Sequence, residues 1–166
     1  VCLPNSSASC YTGPAGTLGV GACKAGTKLC NAQGTAYGGC SGAVVPTASE
    51  VCGNALDDNC NGMTNEGCPT YASVQPAFQA HCSPCHSFQS SGGTNFASSY
   101  AQTQLPSQAC PGLTVGACTL TAVKGGIMPP GGVCTGNPAI DAGNAACFTA
   151  AQQAALQAWI NGGQQP

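Results

Sequence analysis

Fourteen of the chain's 166 residues are cysteine, and no other property limits its fold so strongly. Such a density belongs to chains of oxidising compartments, where disulfides hold together what a small hydrophobic core cannot. Two of the fourteen stand apart, in Cys82-Ser83-Pro84-Cys85-His86. Two thiols three residues apart with an imidazole directly behind them form the attachment pattern of a c-type haem. The thiols add to the two vinyl groups, and the histidine ligates the iron. The twelve other cysteines, an even number, permit six disulfides with no thiol left over.

The same spacing occurs in redox dithiols and in zinc sites. A thioredoxin-like dithiol is expected after a strand in a βαβ setting, which the flanking sequence does not offer. Zinc needs more ligands than two histidines and otherwise irregular cysteine spacings supply.

Only eight residues are charged: Lys24, Lys28, Lys124, Glu50, Asp57, Asp58, Glu66 and Asp141. There is no arginine. Nucleic acid as a partner is thereby excluded, since its backbone demands a basic patch. Steering by a strong field is excluded on the same ground. A surface so rich in Gly, Ala, Ser and Thr suits glycosylation or assembly. No apolar run is long enough to span a membrane, and no signal peptide is visible. The expectation is an extracellular or periplasmic protein whose signal has been removed close to Val1.

The chain divides near Cys68. Residues 1–68 hold eight cysteines, few large apolar side chains and little helical periodicity. They read as a disulfide-rich, loop-dominated module with short strands and little regular structure. Eight cysteines allow too many connectivities to choose among. Residues 69–166 read as mostly α. Ser73 is expected to cap a helix that carries Pro76 in its first turn and Val74, Phe78 and Cys82 on one face. Thr149 and Gln152 fit a capping box before a helix with Ala155, Leu156, Trp159 and Ile160 on its apolar face and Gly162 as its stop. Between them lie a polar Gly/Ser stretch, a short helix around Phe96 to Gln102, and loops punctuated by Cys110, Cys118, Cys134 and Cys147. The close pairs Cys110–Cys118 and Cys134–Cys147 are the preferred disulfides.

A second iron ligand is available downstream. In Gly125-Gly126-Ile127-Met128-Pro129-Pro130-Gly131-Gly132 a methionine stands in a rigid, non-helical loop, where its thioether suits ferrous iron and raises the potential. The plainer alternative is a methionine filling a gap in the core. His81 is on the proximal side of the motif. It reads as a surface or packing histidine, or as a ligand to a metal or haem in a neighbouring subunit. Lys124 reads as a solvated charge rather than a rival to Met128.

With these parts in place, residues 71–163 resemble a monohaem class I cytochrome c domain. The matching segments are Val74-Gln75-Pro76-Ala77-Phe78, the attachment motif, the Met-Pro-Pro loop and Leu156-Gln157-Ala158-Trp159-Ile160. The resemblance implies a cytochrome c fold and one haem c held by thioethers from Cys82 and Cys85. It also implies axial ligands His86 and Met128, and first and last helices that cross beside the haem. The four cysteines between motif and last helix depart from the common pattern.

Four of the five carboxylates fall between Glu50 and Glu66, and such crowding asks for a counter-charge. Asp57, Asn59 and Asn61 alternate ahead of Gly62, as at the start of a calcium loop. Met63 would then lend its carbonyl, and Asn65 and Glu66 follow. The acid expected at the loop's end is replaced by Cys68, so this is no EF-hand. The segment resembles the short calcium repeats of thrombospondin type. It is also similar to the Glu-x-Cys-Gly-Asn to Glu-Gly-Cys metal-binding modules of secreted bacterial, especially myxobacterial, proteins. Here that module runs from Glu50 to Cys68. The alternative is a loop of Asx turns with no ion.

The functional expectation is a non-enzymatic electron carrier, its partners other cytochromes or redox proteins. The alternative is a haem-bearing structural subunit of an extracellular filament or a larger electron-transfer complex. A sensor or peroxidase ranks last, since no second histidine or arginine is placed for acid–base work on the distal side.

Overall fold

The computed structural model describes residues 1–87 and 93–166. Part of the polar stretch behind the attachment motif, residues 88–92, lies outside the described residues. Val1–Gly67 and Cys68–Pro166 form two compact units. Among the described residues there are five helices and one two-stranded sheet, and the rest is turn and loop.

In the first unit β1 (Ser7–Cys10) pairs antiparallel with β2 (Gly26–Leu29), Ser7 opposite Leu29 and Cys10 opposite Gly26. Single bridges from Lys24 to Val44 and Thr27 to Ser41 lay further chain beside it. A two-stranded ribbon is marginal by itself. Its support is covalent. Cys2–Cys30, Cys10–Cys40 and Cys23–Cys60 join positions 28, 30 and 37 residues apart. On a chain-entropy account, loops of that size stabilise by about 4 kcal/mol each. The buried side chains of this unit are Cys23, Cys30, Cys60 and Asp57. Half-cystines thus occupy the place of a hydrophobic core. Cys52 and Cys68 are disulfide-bonded as well.

The second unit is helical: α1 (Tyr71–His81), α2 (Ser83–His86), α3 (Tyr100–Thr103), α4 (Val115–Lys124) and α5 (Ala150–Asn161). Its core gathers Tyr71, Val74, Phe78, Phe96, Leu120, Val123, Phe148, Leu156 and Trp159. Phe78 and Trp159 are wholly buried and meet edge-to-face, ring centroids 6.1 Å apart. These large flat side chains supply most of the apolar area that pins α1 to α5.

The capping box of α5 forms as expected: Gln152 N–H donates to Thr149 Oγ1 at 3.2 Å, and Thr149 N–H to Gln152 Oε1 at 2.8 Å. Leu156 and Trp159 face inward, with Ala155 and Ile160 packed partly against the core. Gly162 closes the helix as its C-cap. Cys110–Cys118 and Cys134–Cys147 are both formed.

Three local expectations need correction. Helix α1 starts at Tyr71 rather than after Ser73. The Tyr71 N–H donates to the Gln165 carbonyl at 2.8 Å, which satisfies the helix end from the chain's far terminus. Ser73 Oγ turns back on the Thr70 carbonyl instead of capping. The short helix expected around Phe96 to Gln102 begins only at Tyr100. Phe96 and Ala97 are buried in the core and precede it.

The third correction is α4, which the sequence reading takes as loop. Val115, Thr119, Thr121 and Val123 are β-branched and Gly116 is a helix weakener, so local propensity is poor. Packing outweighs it. A Cβ on Gly116 would lie 3.0 Å from Trp159 Cη2, so glycine is what lets α4 approach α5. The start is fixed by Thr114, whose Oγ1 accepts from Ala117 N–H at 3.1 Å.

Candidate cofactor site

The attachment motif sits on one helical turn that continues α1. Cys82 N–H donates to the Phe78 carbonyl and His86 N–H to the Cys82 carbonyl, each at 2.8 Å. Residues three and four apart on such a turn share a face, so Cys82, Cys85 and His86 all reach one cavity of about 820 Å³. That volume lies within the roughly 300–1,000 Å³ range of small-molecule and cofactor sites. Phe96, Val115, Val123 and Phe148 line it, and Met128, Pro129 and Pro130 border it as well. The sequence motif and the methionine loop, more than forty residues apart in the chain, therefore share one apolar chamber.

Each chemical group is held in place. The His86 Nδ1 atom lies 3.3 Å from the Thr94 carbonyl. A carbonyl only accepts, so Nδ1 carries the proton and Nε2 is the basic nitrogen. A ring so oriented, tilted against Phe96 with centroids 4.6 Å apart, has the arrangement of a metal-ligating histidine with its outer-shell partner. Thr94, Phe96 and the α4 wall are contributors that the sequence reading does not name. For α4 the sequence carries only a partial signal, Thr114 as a cap and Val115, Thr119 and Val123 at helical spacing, which its β-branched residues and Gly116 mask.

Met128 leaves the end of α4 under tight backbone control. Ile127 N–H and Met128 N–H both donate to the Ala122 carbonyl, at 2.9 and 3.3 Å, and the Met128–Pro129 peptide is cis. The Met128 side chain is 37% exposed, which disfavours the alternative of a methionine filling a gap in a closed core. Lys124 Nζ donates to Gln157 Oε1 at 2.9 Å and is thereby engaged elsewhere.

Cys82 and Cys85 are the two cysteines that remain free thiols. Burial, and then the neighbouring Cys85, pushes the Cys82 thiol up to about 12. Redox dithiols work through a lowered thiolate pKa, so this environment runs against a thioredoxin-like role. Among the described residues no three His, Cys, Asp or Glu side chains converge where a metal ion would sit, and zinc gains no support. The pair nevertheless suits thioether formation: reduced, adjacent and open to the chamber.

His81 packs. Its ring lies on Phe148 at 4.6 Å, and Nε2 is 3.1 Å from Gln152 Oε1. It lines the main cavity and a smaller neighbouring one of about 420 Å³.

In the first unit the acidic loop folds on itself. Asp57 is buried, its two oxygens accepting from Asn61 N–H at 3.1 Å and Gly62 N–H at 2.9 Å. Asn59 Oδ1 and Asn61 Oδ1 accept from the backbone two residues on, at Asn61 and Met63. Glu50 Oε1 accepts from Asp58 and Asn59 N–H, and Oε2 from Asn65 N–H at 2.7 Å. The amide groups of Asn59 and Asn61 both close on Glu66 Oε1. The Asn59 contact is the chief reason the Glu66 carboxyl lies below its ordinary range. Two oxygens are left over: Asn65 Oδ1 and Glu66 Oε2 are shielded from solvent with no hydrogen-bond partner. Orphaned oxygen acceptors are the kind of group a hard cation satisfies, while the described residues gather no three acidic, His or Cys side chains around such a point.

Beside the methionine loop, Asp141 accepts from Thr135 N–H at 2.9 and 3.1 Å on its two oxygens, and from Gly136 N–H at 3.1 Å. These bonds, that from the Thr135 backbone foremost, hold its carboxyl below the ordinary range. A folded-state pKa below the unfolded one means the contribution is present at neutral pH and lost as pH falls through the folded value. An acid titration followed by near-UV circular dichroism is therefore expected to show a change below the usual Asp range. Asp141→Asn removes that phase.

Comparison of the chain with protein-family models, with curated proteins and with solved structures finds no match.

Proposed function

We propose that the protein is an extracytoplasmic monohaem c-type cytochrome that passes single electrons, its second unit a small domain of class I cytochrome c plan. The observation that carries this is one apolar chamber shared by two free thiols, an oriented imidazole and a thioether. Cys82 and Cys85 would hold the haem covalently, with His86 Nε2 and the Met128 sulfur as axial ligands. When bound, a haem so ligated supplies reversible one-electron chemistry at iron. The chain's own residues do the rest. The Thr94 carbonyl fixes the His86 tautomer and strengthens it as a donor. Phe96, Phe148 and the α4 wall exclude water, which favours the less charged, reduced form. The proline-bounded loop presents Met128 at little entropic cost. Twelve oxidised cysteines fit a compartment outside the cytoplasm.

With only Lys124 and Asp141 charged between Cys68 and Pro166, docking to a redox partner rests on small apolar contacts and depends little on salt. Electron-transfer rates measured from low to high ionic strength test this, and a steep salt dependence sinks it.

A second reading, a haem-bearing subunit of an extracellular filament or larger complex, is favoured by that scarcity of charge together with exposed Leu3, Leu29, Val51 and Leu56 in the first unit. Size-exclusion chromatography separates the two. A monomer at all concentrations leaves only the carrier.

For the first unit the orphaned oxygens support a bound calcium ion on Asp57, Asn59, Asn61, the Met63 carbonyl, Asn65 and Glu66, with a structural role. Binding to the folded state alone stabilises by about 2.7 kcal/mol at a hundredfold excess over Kd. Millimolar calcium is thus expected to raise the thermal midpoint of the first unit and a chelator to lower it. Equal midpoints with calcium and with chelator leave the loop as Asx turns alone.

A further inference from the structure

The Met128 loop is held weakly by its own side chains. Ile127 is 64% exposed and Met128 37%, and Gly131 and Gly132, both at positive φ, follow. What backs it is the returning segment 134–136. A Cβ on Gly126 would fall 2.9 Å from the Cys134 carbonyl oxygen, and one on Gly136 2.2 Å from that of Lys124. The backbone of 134–136 therefore lies directly against the exit of α4, from which Met128 is hung. Bulk does not hold this segment either. It is fixed by Cys134–Cys147, by Gln153 Nε2 donating to the Gly136 carbonyl at 3.3 Å, and by Asp141. The Asp141 carboxylate takes the Thr135 and Gly136 N–H groups and the Thr135 hydroxyl, the last at 2.9 Å. It is the sole acidic side chain of the second unit, and one carboxylate gathering three donors is a strong local clamp.

We infer that Asp141 is a positioning residue for the distal ligand: by clamping Thr135 and Gly136 against the end of α4, it keeps the Met128 sulfur in place. The inference rests on the haem reading above. It assigns to a residue outside the chamber the control of how often the distal face of the haem opens. Exogenous imidazole can enter only when Met128 is displaced, so its apparent affinity is its intrinsic affinity scaled by the open fraction.

The test is an imidazole titration of the ferric holoprotein, read by the Soret shift. Asp141→Asn, which removes the charge and turns an acceptor into a donor, is expected to bind imidazole at least ten times more tightly than wild type. Thr135→Val, which keeps the backbone bonds to Asp141 but removes the hydroxyl that donates to it and accepts from Asn137 N–H, is expected to do so about threefold. Tyr100→Phe, which removes the hydroxyl bond to the Gln164 carbonyl, loosens the unit elsewhere and is expected to leave the affinity unchanged. Unchanged affinity in Asp141→Asn overturns the inference, as does an equal gain in Tyr100→Phe. Should Asp141→Asn yield no folded holoprotein, unchanged affinity in Thr135→Val overturns it instead. A wild-type protein that carries covalent haem but lacks the red-edge sulfur-to-iron band fails differently: the Met128 ligand is then wrong, whatever Asp141 does.

Discussion

Replacing Met128 by alanine is expected to leave the haem covalently attached and to open its distal face. On the proposed reading Cys82 and Cys85 make the covalent bonds and His86 the proximal one, and none depends on the loop. The thioether is different. It is a soft ligand that favours ferrous iron, so its loss lowers the reduction potential, by on the order of 100 mV within the ~0.8 V range that axial ligation spans. Three readouts should change together in Met128→Ala: the red-edge band of the ferric protein disappears, the ferrous protein binds carbon monoxide rapidly, and the potential falls. Met63, the other methionine, is 57% exposed and its replacement should change none of them. An unaltered potential with a retained red-edge band in Met128→Ala assigns the sulfur elsewhere or removes it from the account.

Trp159→Ala is expected to be the most damaging single change to the fold. The indole is wholly buried, packs on Tyr71 and Phe78 with centroids 6.1 Å from each, and donates from Nε1 to the Gln165 carbonyl at 2.7 Å. It stands where α1, α4 and α5 meet, with Gly116 opposite its ring edge. Truncating such a side chain costs about 3–5 kcal/mol. In a unit of this size each kcal/mol moves the midpoint by about 4–8 °C, so a fall of at least ~12 °C is expected in thermal unfolding followed by near-UV circular dichroism. The disulfides do not rescue it, because they constrain the unfolded chain rather than refill the core. A fall of only a few degrees would place the core of this unit elsewhere.

What the sequence disclosed, and what it hid, follows from how each feature is encoded. The α5 helix was readable end to end because its signals are local: Thr149 and Gln152 cap it, Leu156 and Trp159 face one way, Gly162 follows. The disulfides Cys110–Cys118 and Cys134–Cys147 were readable because short separations leave few alternatives. In the first unit the pairings Cys2–Cys30, Cys10–Cys40 and Cys23–Cys60 were not readable, since they are non-local and no periodic pattern ranks them. Helix α4 was hidden by its β-branched residues and Gly116, which lower local propensity and make sense only against Trp159. The start of α1 was hidden likewise, because Tyr71 is anchored by Gln165 from the other end of the chain.

The candidate site divides in the same way. The thiols, His86 and Met128 declare themselves by residue type and spacing. Their supports do not. The Thr94 carbonyl that orients His86 is backbone and leaves no trace in composition. Asp141 looks like one more loop acid until Thr135 and Gly136 are seen to lie against the exit of α4. The acidic loop was legible as an alternation of oxygens, but only the fold shows that Asn65 Oδ1 and Glu66 Oε2 lack partners.

The most direct test is the visible spectrum of the purified protein before and after extraction with acidified acetone. The account predicts a ferrous α band whose chromophore stays with the polypeptide, held by Cys82 and Cys85, and a weak red-edge band in the ferric form from the Met128 sulfur. A polypeptide left colourless by extraction, or one expressed with haem-attachment machinery that carries no chromophore while Cys82 and Cys85 still titrate as free thiols, contradicts it.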